Sequence, residues 1–533
     1  MVHRSVWEGA KVLAGGLVPF LLARVPAASA AFPALGVLRG PLGVVLLVLA
    51  AGVALGRAVR PRWPRPPGSA VLFVASLSLY LLVGLQYASR LQVSGDEPYY
   101  LLMAQSLWRE HDLDLQDNFA REDWREYTPG PLSTHYGASR LDGRPYPNHG
   151  PGLPVLLAPV YALGGRAGCV VLMSLLAALL ALEVRRMAWR LTGDPTAAFL
   201  AWAAAAGPPV CFYAFHLYTE VPSALCLAAC LNLLLGAPGA AGAALAALLA
   251  SFLPWLHVKM IPAAAALGVV ALVRLRGRAR AAFLMVAGTM ALADLAYYRH
   301  VFGQWTPLAL YGGVLPEAAR SSPVSAVLGF LLDRSFGLLP HAPVFLIALL
   351  GLAALSARAR QDAWPQLLVG LAVLAPLLTW RMWWGGQCPP GRMLVPLVPV
   401  LASALALRAA QPVVGLARWR GPLLALGLAL AAFMASDPGG LMLLNRGNRP
   451  TRVWAALSGE APLGRYLPSL TLPDATQWGV AVVWVLALGT LVALDRLARD
   501  RRSVDQRFRS LGLPVLLLLA VGAAVDLWVS CSA

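Results

Sequence analysis

The chain has 533 residues, 59% of them apolar and only 13% charged, with a formal net charge of +18. An ordinary soluble domain carries roughly 25% charged residues, and a soluble fold of this size could not hide so many apolar side chains. The same numbers exclude disorder, coiled coils and disulfide-rich secreted scaffolds, while repeated apolar stretches of about 17–22 residues indicate a polytopic membrane protein.

In chain order the apolar segments lie at about 12–32, 35–56, 69–89, 167–184, 195–213, 221–236, 240–256, 260–273, 281–298, 343–357, 364–380, 393–408, 421–436, 477–494 and 511–530. The first is interrupted by Arg24 and Pro26, and several fall short of the roughly 20 residues that an untilted span needs. The expected fold is all-α, a single polytopic membrane domain over residues 1–533 with about 13–15 transmembrane helices. The six cysteines form no CxxC pair and read as small packing residues. No cleavable signal peptide is expected, because no small-residue cleavage site follows the weakly basic stretch Met1 to Lys11.

The positive charge reports orientation. Clusters at Arg57, Arg60, Arg62 and Arg65, at Arg185, Arg186 and Arg190, and at Arg274, Arg276, Arg278 and Arg280 fall in successive connections. Further clusters follow at Arg358 and Arg360, at Arg408, Arg418 and Arg420, and from Arg496 to Arg509. Threading the spans in order places all six clusters on one side, the expected cytoplasmic side. Nucleic acid is therefore not an expected partner. The opposite face receives the longer loops: residues 90–150, 299–342, 381–392 and 437–476. The first holds ten of the 25 acidic residues. The last, with Arg446, Arg449 and Arg452, runs against the charge trend.

Ser94-Gly95-Asp96-Glu97-Pro98-Tyr99-Tyr100 follows the span at 69–89. Pro98 suits the first turn of a helix, and Tyr100, Met103, Ala104, Leu107 and Trp108 fall on one helical stripe. That stripe is too short to span, so a juxtamembrane helix lying on the bilayer surface is expected. The carboxylates of Asp96 and Glu97 read either as a helix cap, stabilising by roughly 0.3–1 kcal/mol, or as site acids. Pro147-Asn148-His149-Gly150-Pro151-Gly152 specifies a rigid turn whose His149 is a solvated loop residue or an anion ligand.

Glu220, in Phe215-His216-Leu217-Tyr218-Thr219-Glu220, sits at the outward end of a span, where it is functional or snorkels to the surface. His257 and Lys259 sit at another outward end. Lys259 is one of only two lysines in the chain, and it reads as an interfacial anchor or as a ligand for a lipid phosphate. Trp383, Trp384, Gly385, Gly386, Pro389, Pro390, Gly391 and Arg392 form an aromatic belt or a structured loop. An indole face such as that of Trp384 suits a sugar ring. Asp333 and Arg334, adjacent in another outward loop, are expected to pair.

Gly95-Asp96-Glu97-Pro98-Tyr99-Tyr100 at the start of the first external loop, with His149-Gly150-Pro151-Gly152 at its return, resembles the GT-C glycosyltransferases. This superfamily includes the protein O-mannosyltransferases and the lipid A aminoarabinose transferases. Trp383-Trp384-Gly385-Gly386 and Pro389-Pro390-Gly391-Arg392 resemble a segment of its bacterial members. The likeness covers roughly residues 69–410, a family-like core with extracytoplasmic juxtamembrane helices in the 90–150 loop. Residues 411–533 are additional C-terminal membrane helices.

The resemblance implies an integral protein of a bacterial plasma membrane, with its site facing the extracytoplasmic side. It implies transfer of a sugar from a polyprenyl-phosphate-linked donor to an acceptor hydroxyl of a glycan, lipid or protein, with inversion. Asp96 matches the family's loop acid, the general base. Glu97 matches its second acid, which positions substrate or a divalent cation, the one cofactor left open. His149 falls where some relatives carry Lys or His near the phosphate. Glu220 joins the acids as a catalytic candidate; His257, Lys259, Arg392 and Trp384 are candidates for holding the lipid phosphate or substrate.

No GxxxxGK[ST] or GxGxxG fingerprint argues for a nucleotide. A transporter or lipid-linked glycan flippase is the alternative. It would place charges near the bilayer midplane, where only Asp294 and Asp526 are candidates. A polysaccharide polymerase or ligase would carry its large loop late in the chain.

Overall fold

The computed structural model describes residues 2–59, 66–128, 130–135, 146–311, 322–358, 360–380, 382–442, 452–471, 473–509 and 512–532. Arg60, Arg62, Arg65, Arg446 and Arg449 of the expected charge pattern lie outside the described residues. All of the regular elements described are helices. Eight of them are long and apolar enough to cross a membrane, or nine if the bent pair Pro33–Arg39 and Pro41–Leu55 is one span. Five shorter apolar helices, of 10–17 residues, accompany them. The expected 13–15 spans are therefore reached only by counting these shorter helices. The protein is an integral membrane protein by these helices.

Apolar length and punctuation set the elements as they do the sequence pattern. The first helix, Val2–Leu22, stops just before Arg24, and a new helix starts on Pro26. It packs against Pro41–Val59 through small residues: a Cβ on Gly16 would lie 2.6 Å from that of Ala50. Such close backbone approach is how membrane helices gain contact without a hydrophobic driving force.

Gly152–Thr192 is two helices joined at Gly164 and Gly165, and Gly165 has φ +54°. Its second part fits the apolar segment expected at 167–184. The helix packs against Ser69–Arg90, Glu97–Arg109, Pro195–Ala206, Glu220–Leu235 and Val398–Ala410, and so forms the centre of the bundle.

Two expectations change. The Glu97–Arg109 helix is not laid on a surface: every residue from Glu97 to Ser106 is buried, and only its end, with Trp108 exposed, reaches the outside. The stripe was real, but the opposite face is covered as well, with Tyr127 donating to Gln105 Oε1 at 2.5 Å. Asp333 and Arg334 do not pair with each other. Asp333 accepts the backbone N–H groups of Ser335, Phe336 and Leu470, while Arg334 donates to Gly464 O at 3.3 Å.

At the arginine-rich end the charges also hold the fold. Asp495, fully buried, lies 3.6 Å from Arg408 and 2.9 Å from Arg499, and accepts from Leu416 N at 2.9 Å. Asp505 takes a two-pronged contact from Arg418 at 2.6 and 2.7 Å. Of the two acids expected within spans, Asp526 accepts from Tyr466 Oη at 2.9 Å and Ala34 N at 3.1 Å. Asp294 Oδ1 has no partner among the described residues.

Trp383 is not part of an interfacial belt. It is 2% exposed and lies across Gly329 of the Pro323–Leu332 helix, where an added Cβ would meet its ring at 2.3 Å. Gly329→Val is expected to destabilise the protein by about 1–3 kcal/mol through overpacking. Gly268→Ala, which enters open space, should leave stability unchanged or slightly higher. Thermal unfolding of both in detergent checks this, and equal midpoints would remove Trp383 from the core.

Candidate functional site

Adjacent acids at a helix start are turned apart by about 100°, and here that rotation separates their roles. Gly95 has φ +57°, and a Cβ there would meet Tyr218 Oη at 2.4 Å, so glycine is required on both counts. Tyr218 Oη donates to Ser94 O at 3.0 Å and fixes the turn. Asp96 occupies the cap position, yet neither acid caps the helix with its side chain.

Glu97 turns inward. Fully buried, it accepts from Tyr87 Oη at 2.5 Å, Ser94 N at 2.9 Å and Leu217 N at 3.0 Å. It ties three parts of the chain together and has no contact with Arg392 or Lysine 259's ammonium. Asp96 turns outward, its side chain 32% exposed.

Arg392 reaches Asp96 from 296 positions away in the chain: its Nη2 lies 2.6 Å from Asp96 Oδ2. The turn that presents it needs Gly391 at φ +76°, where a Cβ would also meet Pro209 at 2.7 Å. Each nitrogen of the guanidinium has an acceptor and one face is covered. Nη1 donates to Gly385 O at 2.9 Å, Nε to Glu220 Oε1 at 3.1 Å, and the plane lies 3.9 Å from the centre of the Tyr218 ring. That ring contact is a cation–π interaction in a desolvated setting, where such contacts are strongest.

Glu220 is fully buried and also accepts from Lys259 Nζ at 2.7 Å. It neither snorkels nor faces solvent, and its Oε2 has no partner among the described residues. Lys259 is 12% exposed and touches Met393 Sδ at 3.4 Å, so it is an ion-pair partner rather than a free interfacial anchor. Asp96, Arg392, Glu220 and Lys259 thus form one row of alternating charge in which Asp96 is the most exposed member.

The expected histidines flank this row. His149 Nε2 lies 3.7 Å from Asp96 Oδ1, its ring parallel to Tyr99 and edge-on to Tyr100. His135 stacks on Tyr99 at 4.4 Å. Gly150 and Gly152 press against the Trp255–Leu256 backbone, which brings the return of the loop beside His257. His257 Nδ1 accepts from Lys259 N at 3.2 Å. Burial, followed by the Lys259 charge, holds its ring well below the usual imidazole range.

Burial alone would raise the Asp96 carboxyl. The Arg392 guanidinium, with His149 adding to it, outweighs burial and holds the carboxyl well below the usual carboxylate range.

Trp384 is placed differently. It packs edge-on to Trp383 and against Phe336, one residue before the carbonyl that receives Arg392. Tyr218 and the Gly385 carbonyl are parts of the site that the sequence reading passed over. The signal for Tyr218 was its place two residues before Glu220. Among the described residues no three His, Cys, Asp or Glu side chains gather as ligands for a metal. Arg392 itself lies between Asp96 and Glu220, where a cation bridging those acids would have to sit.

No family model matches the sequence, and no curated protein sequence matches it either. Among solved structures, ArnT from Cupriavidus metallidurans bound to undecaprenyl phosphate is similar at 16% identity and a TM-score of 0.47, over 86% of this chain and 77% of that one. The arabinosyltransferase EmbB from Mycobacterium smegmatis is similar at 17% identity and a TM-score of 0.43, over 91% of this chain and 45% of that one. An Archaeoglobus fulgidus oligosaccharyltransferase is similar at 13% identity and a TM-score of 0.37, over 78% and 57%. These likenesses are too loose to place one site residue upon another.

The two acids should separate experimentally. Glu97→Ala leaves buried donors without an acceptor, which costs roughly 1–3 kcal/mol for each orphaned group. Its thermal midpoint and yield of monodisperse protein should fall sharply, whereas Asp96→Asn should purify as the parent does. A Glu97→Ala protein as stable as the parent would remove the structural role assigned to Glu97.

Proposed function

We propose that this chain is a membrane glycosyltransferase that moves a sugar from a polyprenyl-phosphate-linked donor to an acceptor hydroxyl. In this reading it acts with inversion, at the extracytoplasmic face of a bacterial plasma membrane, and residues 69–410 carry the chemistry. The observation that carries the reading is the charged row: a carboxylate a third exposed, beside two cations that are themselves held by a buried acid. A hydrophilic acceptor needs a base that solvent can reach. A lipid phosphate leaving group needs cations that are fixed in place before it arrives, because preorganised charge stabilisation is usually the largest catalytic contribution.

In the proposed step, Asp96 accepts the proton of the acceptor hydroxyl. The acceptor oxygen forms a bond to the anomeric carbon from the face opposite the phosphate. The bond from that carbon to the phosphate oxygen breaks, and its electron pair stays on the oxygen. The products are an inverted glycoside, a protonated Asp96 and a polyprenyl monophosphate, whose new charge meets Arg392 and Lys259. Glu220 holds those two cations and acts as a positioning residue rather than a base, since it is enclosed. Glu97 positions the Asp96 turn in the same sense, through Ser94 and Leu217. His149 lies close enough to Asp96 to steer its carboxylate, and the Tyr99–His135 stack gives a flat wall beside it.

A transporter or flippase would use charge within its spans. Asp526 there is bonded by Tyr466 and Ala34 and Asp294 has one oxygen without a partner among the described residues, while the charged row would have no assigned work.

Reconstituted protein supplied with synthetic polyprenyl-phosphate sugars tests the proposal. Asp96→Asn should lower turnover by about 100- to 10,000-fold, the usual range for a general base. Lys259→Ala should raise the apparent donor constant by roughly tenfold, the effect of losing about 1.4 kcal/mol of phosphate contact. Near-parent turnover by Asp96→Asn would sink the assignment of the base. Unchanged donor affinity in Lys259→Ala would remove that lysine from the phosphate site.

A further inference from the structure

Of the contacts around Arg392, only one can be exchanged for a ligand from outside. Nε is spent on Glu220, which is fully buried, and Nη1 on a backbone carbonyl; Tyr218 covers a face of the guanidinium. Nη2 alone bonds a partner that solvent reaches, Asp96. An anion arriving beside Asp96 therefore meets a guanidinium nitrogen that already has a carboxylate partner. We propose that Arg392 is handed from Asp96 to the donor's phosphate during transfer, so that the base and the leaving group compete for one guanidinium corner. This inference rests on the glycosyl-transfer reading.

Charge accounting favours the exchange. The donor is a phosphodiester with one negative charge, and Asp96 begins with another. At the end Asp96 is neutral, and the phosphate is a monoester able to carry two charges, its second pKa being about 6. The negative charge facing Arg392 and Lys259 is the same before and after; only its position changes. A fixed guanidinium whose Nη2 bonds first one anion and then the other keeps the charge compensated throughout, without either partner being left buried and bare.

The exchange also supplies the base. Bound to Arg392, the Asp96 carboxylate is held in a range where it is a poor proton acceptor. Once the Nη2 contact passes to the phosphate, the groups nearest Asp96 besides that guanidinium are His149 at 3.7 Å and Tyr99, with His135 stacked behind it. None is a permanent cation, so the carboxyl rises towards the range where it can take a proton. The same event that secures the leaving group thereby switches on the base, and an empty site holds a base that is switched off.

Binding of a short-chain polyprenyl monophosphate, measured without any sugar acceptor, reads the competition directly. Asp96→Asn removes the competitor and should tighten binding by about tenfold while transfer is lost. In an Arg392→Gln background the same Asp96→Asn change should bring no gain; Arg392→Lys replaces Arg392→Gln where the latter does not fold, and Asp96→Ser backs up Asp96→Asn. Unchanged or weaker binding by Asp96→Asn, with the parent still binding, overturns the exchange and leaves the transferase reading standing. A gain of equal size in the Arg392-altered background also overturns it, because removal of a nearby negative charge would then explain the effect. Failure of the parent itself to bind the monophosphate overturns the transferase reading together with this inference.

Discussion

A buried guanidinium has to be compensated, and one end of this bundle is organised around that requirement at Arg392. Taking an ion out of water costs several kcal/mol even after the protein relaxes. Arg392, 6% exposed, recovers this from two carboxylates, a carbonyl and an aromatic face. Those partners come from three separate stretches of chain. Their meeting sets tight demands on the backbone: Gly95 beneath Tyr218, Gly385 and Gly391 in left-handed conformations, and Gly150 and Gly152 against Trp255 and Leu256. A side chain at Gly95 or Gly391 would push one of the elements out of line.

That dependence explains what the sequence made legible. Apolar runs located the helices because burial of apolar length needs no long-range information. The break at Arg24 and Pro26 and the helix beginning beside Pro98 were readable for the same reason, since each is dictated by residues within one turn. The set of site residues was also largely visible, because ionisable side chains are scarce in this chain and those at span ends stood out. Their pairing was not visible. Asp96 and Glu97 are adjacent acids in the sequence, and it takes Tyr87 and the Leu217 backbone, which claim one carboxylate, to separate their surroundings.

A local pattern does not carry the long-range partner of a side chain. The stripe on the Glu97–Arg109 helix predicted one wet face, but a second layer covers that face. Asp333 and Arg334 looked like a pair because they are neighbours, whereas backbone amides at Leu470 and Ser335 satisfy the acid better than a flexible guanidinium can. Lys259 has the position of an interfacial anchor, and it is the enclosed Glu220 that turns it inward.

The opposite end of the bundle gives a control for what makes a charge pair useful. Asp495 is held by Arg408 and Arg499, and Asp505 by Arg418, with the same atoms and similar distances as around Arg392. Yet Asp495 is fully buried and also accepts a backbone N–H from Leu416, so nothing can exchange there. Asp96 accepts no side-chain cap contact, shares its guanidinium with a second acid, and stays a third exposed. Ion pairing is therefore common to enclosed and partly exposed acids in this protein. What distinguishes Asp96 is that one of the two partners in its pair remains open to competition.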